Sequence, residues 1–233
     1  MNVTAIIPTR NMADMLDRAI RSVIAQTHEV ADIIVADDHS TDHTLEVCGD
    51  YGVMYLYNES EQPWGICGGR NEAFKHVETD YVLPLDADDY IDPTYVEKTI
   101  AKMEPNVGIV STEMIYHGKL EGMITPAWTQ TYESELQANN ITVTSLVRSQ
   151  AILMAGPWDP NLRGWEDWDM WLRILKQGYK HDVVHEPLFH YRLNDTGMNN
   201  WADNNKKSLY KYLAVKHPGF AAIRAKGEKW NEI

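Results

Sequence analysis

Apolar residues fall in short runs at 3–7, 33–36, 53–57 and 81–85, rich in β-branched and aromatic side chains. Runs of that length bounded by polar residues predict buried strands. Between them the period changes. Met15, Leu16, Ala19, Ile20, Val23 and Ile24 recur after Arg10 and Asn11, which is one apolar face of a helix. Ser40 to Asp42 supply a helix start ahead of residues 44–48. Gly65, Gly68 and Gly69 make a flexible turn into a helix over 71–77, and Asp92-Pro93 opens another that carries Val96, Ile100 and Met103.

Strands that are apolar throughout and alternate with helices predict an α/β fold. Its central sheet is Rossmann-like and mostly parallel, with helices on both faces. Further along, residues 107–115, 142–148 and 183–191 read as strands. Trp168, Trp171, Leu172 and Leu175 place a helix over 167–177, and Gly178 suits its C-terminal cap. Residues 118–140 show no clear period and read as a mobile loop. With no repeat, low-complexity tract or linker, residues 1–200 read as one domain, followed by a peripheral helical segment over 201–233.

Composition narrows the class. The chain has 233 residues and a formal net charge of -13, which disfavours nucleic-acid backbones as partners. Cys48 and Cys67 are the only cysteines and make no disulfide framework, so the expected setting is reducing and cytoplasmic. No stretch approaches the roughly 18 consecutive apolar residues of a membrane span. The N-terminus lacks the basic and apolar regions of a signal peptide. Lys206, Lys207, Lys211 and Lys216 alternate with Leu209, Tyr212 and Leu213. That stretch reads either as a helix packed on its own domain or as a basic amphipathic helix resting on an anionic membrane.

The candidate chemistry sits at strand ends, where ligands bind in open parallel sheets. Thr9-Arg10, Asp37-Asp38 and Asp86-Ala87-Asp88-Asp89 each follow a predicted strand. One aspartate at such a point is adequately explained as a helix cap. Three within four positions repel one another and call for a hard divalent cation, Mn²⁺ or Mg²⁺, which takes oxygen ligands. Mg²⁺ commonly uses one or two carboxylates and completes its shell with water and substrate phosphate, so a short Asp-x-Asp suits a metal–diphosphate.

Six segments in order extend this. AIIPTRN (5–11), IIVADDHSTDHT (33–44), GGRNEAF (68–74), LPLDADDY (83–90), GPWDPNLRGWEDWDMWLRILKQG (156–178) and FHYRLNDTGM (189–198) together resemble the family-two inverting glycosyltransferases of the GT-A fold. The resemblance implies a nucleotide-binding half over 1–105 and an acceptor-binding half over 106–200 in one domain. It implies that Pro8, Thr9, Arg10, Asp38 and Arg70 hold the nucleotide, with Asp37 assisting or supporting the loop, and that Asp86 lies near the ribose. It gives Asp88, with Asp89 beside it, to the metal, Arg192 to the diphosphate, and Asp167 to the general base. Glu166 is a second candidate for the base or orients acceptor hydroxyls, and Trp165 is an acceptor contact. The family often places a His after Tyr-Arg; here that position is Asn194, which leaves His190 or water to serve the metal.

The implied reaction moves a sugar from a nucleotide-diphosphate donor, a UDP-sugar by resemblance, to a hydroxyl of a glycan or glycoconjugate. One base and one metal suffice for single displacement with inversion. Three alternatives stand beside it. One is a catalytically silent nucleotide-sugar binding or partner subunit, which would not need Asp167. Another is a glycosyltransferase acting on a modified DNA base, which the acidic charge opposes. The third, a nucleotidyltransferase, would show a Gly-rich basic phosphate loop where PTRNMAD (8–14) stands.

Overall fold

The computed structural model describes residues 1–193 and 198–220. Its first half is the predicted alternation: β1 (Val3–Thr9), α1 (Ala13–Ile24), β2 (Asp32–Asp37), α2 (Thr44–Tyr51), β3 (Met54–Tyr57), α3 (Gly65–Phe74) and β4 (Tyr81–Pro84). These four strands are parallel, in the order β3-β2-β1-β4. The chain then forms β5 (Tyr90–Ile91), α4 (Tyr95–Ile100), β6 (Val107–Gly118), β7 (Ile124–Thr125), α5 (Tyr132–Glu135), β8 (Leu146–Arg148), α6 (Ser149–Ala155), α7 (Glu166–Lys176), β9 (Lys180–Leu193) and α8 (Met198–Lys216). The sheet continues as β4-β8-β6-β9-β5. Here the pairing is mixed: β8 runs antiparallel to β4 and β6, β9 parallel to β6, and β5 antiparallel to β9.

Alternation along each strand divides the core. Ile7 and Val35 face α1 and α4, meeting Leu16, Ile20, Tyr95 and Val96. Ile6, Ile34 and Ala36 face the other way, onto Trp158, Met170, Trp171 and Ile174. A third cluster joins Trp168 and Leu172 of α7 to Ala202, Leu209 and Leu213 of α8. Lys216 Nζ donates to Asp159 Oδ2 (2.6 Å) and Asp169 Oδ2 (2.9 Å), and His217 Nε2 lies 2.9 Å from Asp169 Oδ1. Of the two sequence readings of this stretch, packing on the domain is the one observed: its leucines are spent on α7. Lys206, Lys207 and Lys211 remain exposed. No described helix is long and apolar enough to cross a membrane.

Other departures have local causes. β5 is two residues long, too short to carry a period. The 118–140 stretch is more structured than a mobile loop: β7 folds back on β6, pairing Met114 with Thr125 and Ile115 with Ile124, and α5 follows. Because Leu213 is fully enclosed against α7, Leu213→Ala is expected to lower the unfolding free energy by about 2–4 kcal/mol, read by urea titration. A loss near zero would mean α8 is not docked in solution.

Candidate active site

A cleft of about 1020 Å³ opens at the carboxyl ends of β1, β2 and β4. Pro8, Thr9, Arg10, Asp38, Asp86 and Asp88 line its sheet side, Trp165, Glu166 and Asp167 enter from the start of α7, and Arg192 comes from β9. The sequence nominated all ten, and the fold brings them to one space.

Four other nominees lie outside the lining, each for a geometric reason. Asp37 is one residue from Asp38 and so faces the opposite way; it accepts from Ser40 N (2.9 Å) and Tyr55 Oη (2.7 Å), and its work is to hold the loop after β2. Asp89 is 1% exposed, with Oδ1 accepting from Arg192 N at 2.7 Å. It ties the acidic turn to β9. His190 sits between the cleft-lining Phe189 and Tyr191; its ring stacks on Tyr90 at 4.2 Å and Nε2 lies 3.2 Å from Asp92 Oδ1. Its ring is engaged by Tyr90 and Asp92. Asn194 lies outside the described residues.

Arg70 is the fourth. It is fully buried behind its neighbours. Nη2 donates to Asp86 Oδ1 (2.7 Å) and Nη1 to Glu166 Oε1 (2.8 Å). Burial works against the guanidinium's charge, and the two carboxylates more than offset it, raising its pKa. Local chemistry delivers it there. Asp38 Oδ1 accepts from Trp64 N and Oδ2 from Gly65 N, each at 2.9 Å, satisfying the first N–H groups of α3. Burial pushes the Asp38 carboxyl up, but these bonds and one from Asn58 bring it below its usual value. Gly69 lets α3 press on the sheet: a Cβ there would meet Pro8 Cβ at 3.2 Å.

Two carboxyls in the cleft are held above the ordinary range. Asp88 is pushed up to about 6, by burial and then by the charge of Asp86. Asp167 is pushed up to about 7, by burial and then by Glu166, against bonds from Asn139 and Trp168 N and the charge of Arg70. Burial thus outweighs the anion-favouring N-terminus of α7. The turn that presents this pair is strained. Trp165 adopts a left-handed φ of 61°, and Gly164 before it has φ 138°, conformations uncommon for a bulky residue and typical of functional sites. The Trp165 ring packs on Trp168 (5.4 Å) and on Tyr210 of α8 (4.7 Å).

Among the described residues no three His, Cys, Asp or Glu side chains converge as a protein metal cage. The donor set instead offers Asp88 beside Asp86, whose mutual repulsion contributes to the raised Asp88 carboxyl. That number of carboxylates fits a divalent cation whose shell is completed by water and phosphate. Two further residues carry no sequence signal. Asn139 Nδ2 donates to Asp167 Oδ2 at 3.2 Å, and Glu135, 0% exposed, lies behind it. Neither has a motif; the contact spans 28 positions.

Comparison with known proteins gives the family and the fold. The signature described as glycosyl transferase family 2 matches residues 4–155, and that of glycosyl transferase family group 2 matches residues 81–230. The chain belongs to glycosyl transferase family 2. It is 29% identical over 232 residues to TuaG of Bacillus subtilis, a glycosyltransferase named for teichuronic acid biosynthesis, covering 94% of this chain and 90% of that one. It is 28% identical over 186 residues to WfaP of Escherichia coli, named as a UDP-Glc:alpha-D-GlcNAc-diphosphoundecaprenol beta-1,3-glucosyltransferase, covering 76% and 72%. Other relatives are far longer: the match covers 15% of GlyA from Streptococcus pneumoniae. In three dimensions the chain is similar to S. aureus TarS 1-349 in complex with UDP-GlcNAc, with TM-score 0.70, 20% identity, and 85% and 61% of the two chains covered. The mannosyltransferase PcManGT from Pyrobaculum calidifontis, solved with GDP-Man and Mn2+, gives TM-score 0.69 at 16% identity, over 92% and 64%. These likenesses establish the GT-A fold.

Removing Arg70 strands two carboxylates around an enclosed space. Arg70→Met is expected to cost about 3–5 kcal/mol of stability, measured by urea unfolding. A cost below about 1 kcal/mol would mean that the clamp is not made in solution.

Proposed function

We propose that this protein transfers a sugar from a UDP-sugar to a hydroxyl of a glycan or glycoconjugate, with inversion at the anomeric carbon. The observation that carries the reading is the half-buried Asp167 carboxyl, held near pKa 7 in the same cleft as Asp86 and Asp88. A general base works best when its pKa lies near the working pH. Arg70 ties the two sides together, since its two carboxylate partners belong to the acidic turn and to the helix of the base.

In this reading Thr9, Arg10 and Asp38 border the nucleotide and Asp86 the ribose. Asp88 is the residue that would hold Mn²⁺ or Mg²⁺, and Arg192, which lines the same cleft, would add positive charge beside the diphosphate. When bound, the cation supplies charge stabilisation for the leaving diphosphate. Asp167 takes the proton of the acceptor hydroxyl. The acceptor oxygen bonds to the anomeric carbon from the face opposite the diphosphate, and the electron pair of the breaking C–O bond leaves on the diphosphate. Glu166, engaged by Arg70 through one oxygen, orients the acceptor, and the Trp165 ring offers it an apolar face. UDP is supported as carrier by the names of WfaP and of the TarS complex. The free, buried Cys48 and Cys67 are consistent with a reducing compartment.

The test pairs two variants. Calorimetric titration of UDP with Mn²⁺ should show binding lost or weakened at least tenfold in Asp88→Asn and retained in Asp167→Asn. UDP release from UDP-sugars should fall at least a hundredfold in Asp167→Asn, in keeping with the ~10²–10⁴-fold contribution of a general base. Equal loss of binding in both variants contradicts the division of labour. The pH dependence follows from the raised carboxyl. Asp167 accepts a proton only when ionised, so kcat/KM should climb as pH rises towards about 7 and level off above it. A profile already flat from pH 5 would assign the base elsewhere.

A further inference from the structure

Behind Asp167 lies a buried construction that the transfer chemistry does not itself use. α5 is a single turn closed by a reciprocal cap: Ser134 N donates to Thr131 Oγ1 (3.2 Å) and Thr131 N to Ser134 Oγ (2.9 Å). It ends at Glu135, whose side chain is enclosed. Glu135 Oε1 accepts from Asn140 N (3.1 Å) and Ile141 N (3.4 Å). Its backbone oxygen accepts from Trp168 Nε1 of α7 at 2.7 Å. The turn over 138–141 is therefore fastened to the helix that carries Asp167, and Ile141 is buried as its anchor. At the tip of this turn Asn139 donates to Asp167 Oδ2, while Oδ1 of the same carboxylate accepts from Trp168 N at 2.8 Å.

We infer that Asn139 is a positioning residue for Asp167, aimed by a turn that the buried carboxyl of Glu135 holds in place. The inference rests on Asp167 as the base of the proposed transfer. Asn139 binds one oxygen of the base and steadies its ionised form, leaving the remaining lone pairs for the acceptor proton. Glu135 has a reason to be a carboxyl in its neutral state. Its Oε2 is buried without a hydrogen-bond partner, a costly place for a charge. Burial raises its pKa to about 8, against the two backbone N–H bonds and with help from Asp167. At neutral pH it therefore fastens the turn without adding a further negative charge behind the base. The titratable groups that act on Asp167 or respond to it are Glu166 beside it, Arg70 and Cys67 from α3, and Glu135 from α5.

Carboxyl ¹³C NMR titration of the free protein tests this without any donor or acceptor, with the Asp167 resonance assigned by its absence in Asp167→Asn. Asn139 is exposed, so Asn139→Ala is expected to fold normally. Its Asp167 midpoint should move upward, leaving a roughly threefold smaller ionised fraction on the acid side. Glu135→Ala should move the midpoint the same way. Glu135→Gln, which keeps the accepting oxygen, should restore it, and adding Glu135→Ala to Asn139→Ala should move it no further. An unmoved midpoint in Asn139→Ala overturns the inference, as does a fully additive double variant. Because the readout needs no turnover, it separates from the Asp167→Asn activity test: if Asp167 is not the base, the Asn139→Ala midpoint shift still appears while the activity loss does not, and if Asn139 has no positioning role, the shift is absent while the activity loss remains.

Discussion

Two ends of one buried guanidinium hold this cleft together. Arg70 reaches from α3 to Asp86 on the acidic turn and to Glu166 at the start of α7. Those two points belong to different halves of the chain, 16 and 96 residues away from it. An enclosed arginine with no partners would be heavily penalised by desolvation. With both carboxylates in place, its fork fixes the spacing between the acidic turn after β4 and the start of α7. The helix that carries it depends on the Asp38 cap and on the close approach at Gly69. An aspartate expected to touch the nucleotide thus also builds the helix that sets the site.

The acidic residues divide by what surrounds them. Asp38 is saturated with donors and held low. Asp88 and Asp167 lack enough donors to offset burial and repulsion, and are held high. The first is held ionised by its donors; the other two keep unfilled acceptor capacity, which the proposed function assigns to a cation and to a proton. That contrast separates Asp88 from the helix-capping Asp38, although both follow buried strands in the sequence.

The parallel half of the sheet was legible because its strands are apolar throughout and its helices are amphipathic, as in α1. The cleft at the strand ends was legible for the same reason. Orientation was not. Asp37 and Asp38 look alike in a list of residues, as do Asp88 and Asp89, or His190 and Arg192, and the pleat and turn geometry decides which of them enters the cleft. Non-local partners were hidden too. Nothing near Asn139 or Glu135 in the sequence announces Asp167, because the contact exists only once the turn after α5 is folded onto α7. Conversely, the lysine-rich stretch over 206–216 has an unremarkable local explanation, since its leucines cover α7 and Lys216 joins Asp159 and Asp169.

The central claim is a single displacement, with Asp167 activating the acceptor while the diphosphate leaves from the opposite face. The most direct test is proton NMR of the anomeric centre during turnover of an α-linked UDP-sugar with Mn²⁺, recorded before free sugar can equilibrate. The account predicts that the first-formed product, whether glycoside or free sugar, carries the β configuration. A first-formed α product would require two displacements or a front-face route, and would contradict the role given to Asp167.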